Sequence, residues 1–370
     1  MPDPYAASGV DTAAGDRAVE LMKRSIAATH TPAVLGGVGG FAGLFDARAI
    51  AGMRSPVLAS STDGVGTKIE IARALDKHDT VGQDLVGMVV DDIVVVGAAP
   101  LFMTDYIACG RVVPERIAEI VGGVADACRR TGTALVGGET AEHPGLLAPD
   151  EYDLAGAAVG VVEADALLGP DRVRTGDTVL ALASSGLHSN GFSLVRRIVA
   201  DAGLAFTDRI DELGGPLGEA LLTPTRLYTA ELLEVLDSAD GAGVHALSHV
   251  TGGGIAANLA RVLPDGAAVA LERATWTPAP VFRVLADLGG LALTDVEGTW
   301  NLGIGMLAVV APESASAIAA RLASLGVPTW PVGTVSEGTT IHRASAEDGW
   351  VRGAKGVDGG AVRLSGTYAT

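Results

Sequence analysis

The sequence predicts a mixed α/β protein, of the α+β kind, in two domains. Its 370 residues exceed what one core usually organises. Strand-like apolar runs alternate with amphipathic stretches of helix length, and this rhythm restarts near residue 174. The 50 glycines are close to twice the usual share of ~7%. They follow no collagen-like period and gather where apolar runs end, which marks them as turn residues.

Residues 16–30 have helical spacing, with Val19, Met22, Ile26 and Ala27 on one face, Asp16 as N-cap and Pro32 as stop. A strand is expected over 56–61. Residues 80–97 predict a mostly buried helix, on which Asp84, Asp91 and Asp92 fall on one side at i, i+7 and i+8. A strand over 101–109 leads to a helix over Pro114–Thr131 with proline in its first turn. Strands over 133–136 and 152–162 follow. Gly169-Pro170 and Thr175-Gly176-Asp177 then break the pattern. Beyond them come a strand over 177–183, the turn SSGLHSNG at 184–191 and a helix over 192–203. The helical stretch 217–236 is broken at Thr223-Pro224; a strand over 244–250 runs into TGGG at 251–254, which opens a helix to 263. Strands over 267–271, 303–310 and 329–335 and helices over 279–288 and 312–325 complete the second half. The resulting division is a first domain at 1–170, a second of sheet and helices at 171–342, and a flexible extension at 343–370.

The net charge of −18 repels nucleic acid and phosphorylated ligands at long range. A phosphate site here must therefore act locally, through backbone N–H groups, helix N-termini and bound cations. Cys109 and Cys128 are the only cysteines, which suits a reducing compartment and no disulfide framework. MPDPYAASGV has neither the basic start nor the apolar core of a signal peptide. The longest apolar run, 86–100, is interrupted by Asp91-Asp92 and is too short to span a bilayer.

Three turns concentrate the chemistry. TDGVGTK at 62–68 follows a strand and offers a hard carboxylate ligand in Asp63 and a point charge in Lys68. Taken alone, Asp63-Gly64 also reads as an ordinary Asx turn. GGVGGF at 36–41 precedes it, with Lys23 on the helix before, and GGET at 137–140 places Glu139 just past a strand, where it either favours a helix dipole or ligates magnesium. An acid pair in an apolar helix is either salt-bridged to an arginine, exposed at the helix edge, or bound to a cation, and Asp92 is the favoured metal ligand. In the second half His188 sits in a turn that opens a helix, equally suited to binding phosphate, moving a proton or merely capping. TGGG repeats the glycine-rich helix start. His245 and His249 lie in a strand-like run and do not suggest zinc. Walker A, Rossmann, GxSxG and kinase signatures are absent.

Together these residues resemble the phosphoribosylformylglycinamidine cyclo-ligases, the AIR synthetases of purine biosynthesis. The resemblance runs from about residue 5 to 341 through YAASGVD, GGVGGF, SSTDGVGTK, HDTVGQDLVGM, GAAPLFMTDYIACG, LVGGETAEHPG, YDLAGAAVGVVE, SSGLHSNGFSLVR, LLTPTR, HALSHVTGGG and NLGIGM. It implies a PurM-like architecture, a cytoplasmic homodimer whose N-terminal domains pair, ATP and a small nucleotide as substrates, magnesium and potassium, and neither nucleic-acid nor membrane partners. It implies Asp63 and Lys68 at the reacting nucleotide, with His188 first in rank for proton transfer. Lys23, Gly36, Gly37, Gly39, Gly40, Gly64, Gly66, Thr67 and Glu139 would bind ATP, and Asp63, Asp92 and Glu139 would hold the metal. Ser189, Asn190, Gly252, Gly253 and Gly254 would contact the other substrate on the second-domain side of a cleft.

Three departures stand out. Asp91 replaces the family's usual Asn, Trp300 replaces a usual Phe, and the segment after about residue 343 has no counterpart in shorter members. Other ATP users of the superfamily, such as selenophosphate synthetase, thiamine-monophosphate kinase and the glutamine-dependent enzyme one step earlier, are the alternatives. The first typically has a reactive cysteine or selenocysteine near its start, and no cysteine precedes Cys109 here. The large form of the last is far longer. A non-catalytic regulatory dimer would have lost acids that remain present at 63, 92 and 139.

Overall fold

A computed structural model describes residues 11–37, 39–337, 349–353 and 356–369. Residues 5–10 of YAASGVD, Val38 of GGVGGF and residues 343–348 of the expected extension lie outside them. The chain divides into two compact units, one of residues up to 165 without 94–97, the other of 94–97 and residues from 166 on.

The first unit holds α1 (Thr12–Ala27), β1 (Pro56–Gly64), α2 (Ile69–Leu75), α3 (Val81–Val94), β2 (Ala99–Cys109), α4 (Pro114–Thr131), β3 (Ala134–Glu142) and β4 (Tyr152–Glu163). Helix α1 starts earlier than expected, because Asp11 rather than Asp16 accepts the Ala14 N–H, and it buries Ala18, Met22 and Ile26 at four-residue intervals. Helix α4 has Pro114 in its first turn and ends at Gly132, whose φ of 70° closes the helix in the left-handed region. Helices α3 and α4 meet at Gly82 and Gly123. A Cβ on Gly82 would lie 2.3 Å from the Val124 nitrogen, so only glycine permits this approach.

The four strands run in the order β1-β4-β2-β3, with β2 and β3 parallel and the other pairs antiparallel. Met103 and Ile107 of β2 are fully buried under the helices, while Tyr106 and Leu58 are 41% and 62% exposed on the opposite face. The glycines of GGET do not end β3; they lie inside it. Gly138 makes space: a Cβ there would come 1.7 Å from Asp105 Oδ1 on the neighbouring strand.

The second unit holds β5 (Thr178–Ala183), α5 (Phe192–Asp201), α6 (Leu217–Leu221), α7 (Thr229–Leu236), β6 (Val244–His249), α8 (Gly254–Arg261), β7 (Ala267–Glu272), α9 (Pro280–Leu288), β8 (Ile304–Val310), α10 (Ala315–Ser324), β9 (Thr329–Glu337), β10 (Val351–Arg352) and β11 (Ala361–Ser365). Its seven-stranded sheet runs β6-β8-β5-β9-β7-β11-β10. Leu180, Leu182, Leu247 and Met306 from the central strands pack with Tyr228, just before α7, and with Leu232, Ile318 and Leu322 from the helices. Strand β8 is buried at every residue, hence its unbroken apolar run. The expected flexible extension is corrected in part: residues 361–365 add β11 to the sheet, parallel to β7 through five residue pairs.

Candidate functional site

In the first unit the TDGVGTK segment straddles the end of β1. Asp63 is exposed, and its Oδ1 accepts the Gly64 N–H at 2.7 Å. Gly66 has φ of 73° and, with exposed Thr67, forms the first part of a single helical turn. Lys68 turns inward. Its Nζ donates to Asp84 Oδ1 at 2.8 Å, and both side chains are fully buried. Burial pulls the Lys68 ammonium below its ordinary pKa, while Asp84 pulls the other way. The lysine expected at a phosphate is here held in a buried ion pair.

The acid pair on α3 also divides. Asp91 is fully buried and Asp92 is exposed, because adjacent helical residues lie about 100° apart. Glu139 is exposed on β3 and lines a cavity of about 230 Å³ with Gly37, Gly39 and Gly40, between α1, Val121 of α4 and the β2–β3 edge. Gly36, with φ of 89°, precedes this lining. Lys23 is exposed on α1 and paired with Glu20 at 2.5 Å.

The register separates the expected metal ligands. Asp63 pairs with Gly156, Gly156 with Asp105, and Asp105 with Gly138, so these four share a face. Glu139 pairs with Tyr106 and points to the other face. Three strand spacings, about 14 Å, also lie between β1 and β3. Among the described residues no group of three or more His, Cys, Asp or Glu could hold a metal ion. Asp63, Asp92 and Glu139 of one chain thus do not form a common cation cage.

Asp105, which sequence reasoning passed over, lines the same cavity. Desolvation in this apolar wall pushes its pKa up to about 7, against its own backbone hydrogen bond. Its signal was available: an acid inside the apolar run 101–109 poses the same question as Asp91 and Asp92. A carboxyl with a raised native pKa disfavours folding once it must ionise. That penalty is absent below pH 4, grows as pH rises through about 7, and then levels off. Thermal melts of Asp105→Asn are accordingly expected to gain on the parent protein between pH 5 and pH 8; parallel curves over that range would refute it.

In the second unit, β5 and β6 flank β8 antiparallel, so their C-terminal ends and the start of β8 share one sheet edge. The turn after β5 carries His188, Ser189 and Asn190, and the turn after β6 carries Gly252, Gly253 and Gly254. The two turns are neighbours: a Cβ on Gly252 would sit 3.5 Å from Asn190 Oδ1. Each opens a helix through a left-handed glycine, Gly191 before α5 and Gly253 before α8. Two helix N-termini at one edge suit an anion. His188 is 1% exposed, has φ of 61°, and its Nε2 accepts the Ser185 N–H at 3.2 Å. It fixes the turn from beneath, while Gly252 and Gly253 are exposed above. Asn301 was also passed over. It donates to the Gly186 carbonyl at 2.9 Å and accepts from Ser184 Oγ and the Gly303 N–H, bracing the first turn. His245 is committed to Asp177 at 2.7 Å.

Residues 46–162 match the N-terminal domain of the AIR synthase related proteins, and residues 174–343 match their C-terminal domain. The chain is 48% identical to a phosphoribosylformylglycinamidine cyclo-ligase of Geobacillus kaustophilus, over 93% of this chain and 99% of that one. It is 46% identical to the enzyme of that name from Brevibacillus brevis, over 91% and 97%. Among solved structures, thiamine-monophosphate kinase from Stenotrophomonas maltophilia superposes with a TM-score of 0.64 at 20% identity, covering 94% of this chain and 96% of that one. The hydrogenase maturation protein HypE in complex with ATP gives 0.61 at 18% identity, covering 95% and 91%. These two show a shared fold. With both domain matches in order along the chain and nearly half of its residues shared with full-length relatives, the chain belongs to the AIR synthase related family, among the phosphoribosylformylglycinamidine cyclo-ligases.

Proposed function

We infer that this chain is the ATP-dependent enzyme that closes formylglycinamidine ribonucleotide to 5-aminoimidazole ribonucleotide, releasing ADP and phosphate. The observation that carries this reading is its family membership across both domains. The chemical obstacle is a formyl amide, whose carbon is a weak electrophile and whose oxygen leaves poorly. The formyl oxygen attacks the γ-phosphorus of ATP and ADP leaves. The amidine nitrogen of the same molecule then attacks the activated carbon, loses its proton, and the C–O bond breaks to expel phosphate. Holding the substrate folded raises the effective concentration of its own nucleophile.

The turns of the second unit supply fixed donors for a phosphate-bearing ligand. Exposed Gly252 and Gly253 leave the start of α8 open, and Asn190, next to Ser189 in the chain, stands beside Gly252. In the first unit Asp63, Gly64, Gly66 and Thr67 form one proposed ATP contact, and Gly36, Gly37, Gly39, Gly40, Lys23 and Glu139 form a second. His188 keeps its proposed proton-transfer role only if the turn opens, because its ring is buried. Lys68 acts through its ion pair by anchoring the turn after Asp63.

Magnesium is expected to accompany the nucleotide, but the acids of one chain do not fit it as a cage, so no step is routed through it. A second copy of the chain is the proposed remedy. The face of the first-unit sheet that carries exposed Leu58 and Tyr106 suits pairing of two N-terminal domains, and Glu139 stands opposite Tyr106 on that face. A cytoplasmic setting fits two buried free cysteines, and burial pushes the Cys109 thiol up to about 11, where it is unreactive. None of the described helices is long and apolar enough to cross a membrane.

Purified protein is expected to release ADP when the formylglycinamidine nucleotide and magnesium are both supplied. ADP release without that nucleotide, or none with it, would reject the assignment.

A further inference from the structure

The segment after residue 360 does more than extend a sheet. Once β11 ends at Ser365, the chain turns onto the loop 297–303. Arg273 Nη1 donates to the Gly366 carbonyl at 3.0 Å, and the Tyr368 hydroxyl donates to Glu297 Oε1 at 2.5 Å. The Tyr368 ring stands edge-on to Trp276, with centroids 5.3 Å apart. Ala369 donates its N–H to the Trp276 carbonyl, and its own carbonyl accepts from Arg283 Nη2 at 2.7 Å. Glu297 is thus gripped twice, by Tyr368 and by a bidentate fork from Arg273 at 2.6 and 2.8 Å. Trp276 carries the grip further, donating Nε1 to the Leu302 carbonyl at 3.0 Å.

The same loop backs both glycine turns. A Cβ on Gly254 would lie 1.7 Å from the Glu297 carbonyl oxygen, and one on Gly191 would lie 2.5 Å from the Trp300 ring. Asn301, next to Leu302, holds the Gly186 carbonyl. With such close packing, a loop displaced by a fraction of an ångström displaces both turns.

We propose that Tyr368 is a positioning residue, and that residues 361–369 form a strap which clamps the 297–303 loop and so sets the 185–191 and 251–254 turns for the nucleotide substrate. This rests on reading those turns as the substrate side of the site. The strap lies past residue 343, where the match to the C-terminal family domain ends.

The test is steady-state kinetics on the full-length chain, on Tyr368→Phe, which keeps the ring and removes only the hydroxyl, and on a variant lacking residues 366–370. The KM for the formylglycinamidine nucleotide is expected to rise about fivefold in Tyr368→Phe and on the order of twentyfold in the truncated variant, with the KM for ATP within twofold of the parent. Substrate KM unchanged in Tyr368→Phe overturns the proposal. So does a fall in kcat alone that tracks the unfolded fraction in a thermal melt, since that is the mark of a strap serving stability only. If truncation prevents folding, Tyr368→Phe decides alone. An intact protein that fails to turn over the nucleotide defeats the functional reading beneath the proposal, whereas an active parent with unaltered variants defeats the strap itself.

Discussion

Lys68→Met is expected to destabilise the protein by about 3–5 kcal/mol, because it leaves Asp84 charged in a fully buried site without its cation. The lysine and the aspartate face each other at 2.8 Å between the turn after β1 and the first turns of α3. Each charge alone would lose most of its hydration there, and what makes the arrangement tolerable is the mutual field in a medium of low polarity. Replacing both partners by apolar groups removes the two charges together, so Lys68→Met combined with Asp84→Leu should recover most of the loss. Urea unfolding of the two single variants and the double variant measures this directly. A Lys68→Met protein that unfolds at the parent's urea midpoint but has lost turnover would show that the lysine serves the nucleotide after all, as the TDGVGTK pattern suggests. The ion pair also gives a reason for the spacing of that pattern: five residues after Asp63, the chain is pinned to α3 just past the strand end that carries the carboxylate.

Local signals are legible in this sequence and pairwise ones are not, for a physical reason. Helix α4 announces itself by Pro114 at its start, its apolar stripe and Gly132 beyond its end, all within one turn of the residues they govern. The strand at 152–162 is likewise visible as an apolar run. GGET reads as a turn but lies in a strand, because Gly138 answers to Asp105, a side chain on another strand more than thirty residues away. Asp91 and Asp92 could be recognised as an exceptional pair, but which of the two faces the core depends on how α3 is rotated against the sheet. The strand at 361–365 pairs with residues some ninety positions earlier, and no local periodicity carries that information. The relative placing of the expected metal ligands is a matter of the same level. Strand existence was legible, yet the register that places Asp63 and Glu139 on opposite faces is a property of four strands together. What survives from the sequence is the identity of the turns, and the structure supplies their neighbours: Asn190 beside Gly252, and Asn301 beneath Gly186.

Asp63→Asn is expected to lower turnover at least about 100-fold, the scale of removing one preorganised charge contact from a developing transition state. The substitution isolates charge from structure. Asparagine keeps an Oδ1 acceptor for the Gly64 N–H that Asp63 engages at 2.7 Å, and it keeps the length and shape of the side chain. Asp63 is also exposed, so stability should stay within about 0.5 kcal/mol of the parent, as is usual for surface positions. The charge matters because phosphoryl transfer from ATP moves negative charge between oxygens, and the protein's acids act by fixing where compensating cations stand. In this chain that burden cannot fall on a three-acid cage, since the sheet separates Glu139 from Asp63. Asp63 has to be matched either with acids of its own face or with a second copy. A second copy predicts that mixing inactive Asp63→Asn chains with inactive Glu139→Gln chains restores part of the activity, because some mixed dimers then carry one site with both acids intact. Purely intrachain sites predict that both variants stay inactive on mixing. A loss below tenfold in Asp63→Asn would reduce the residue to an Asx cap on the turn that Lys68 anchors.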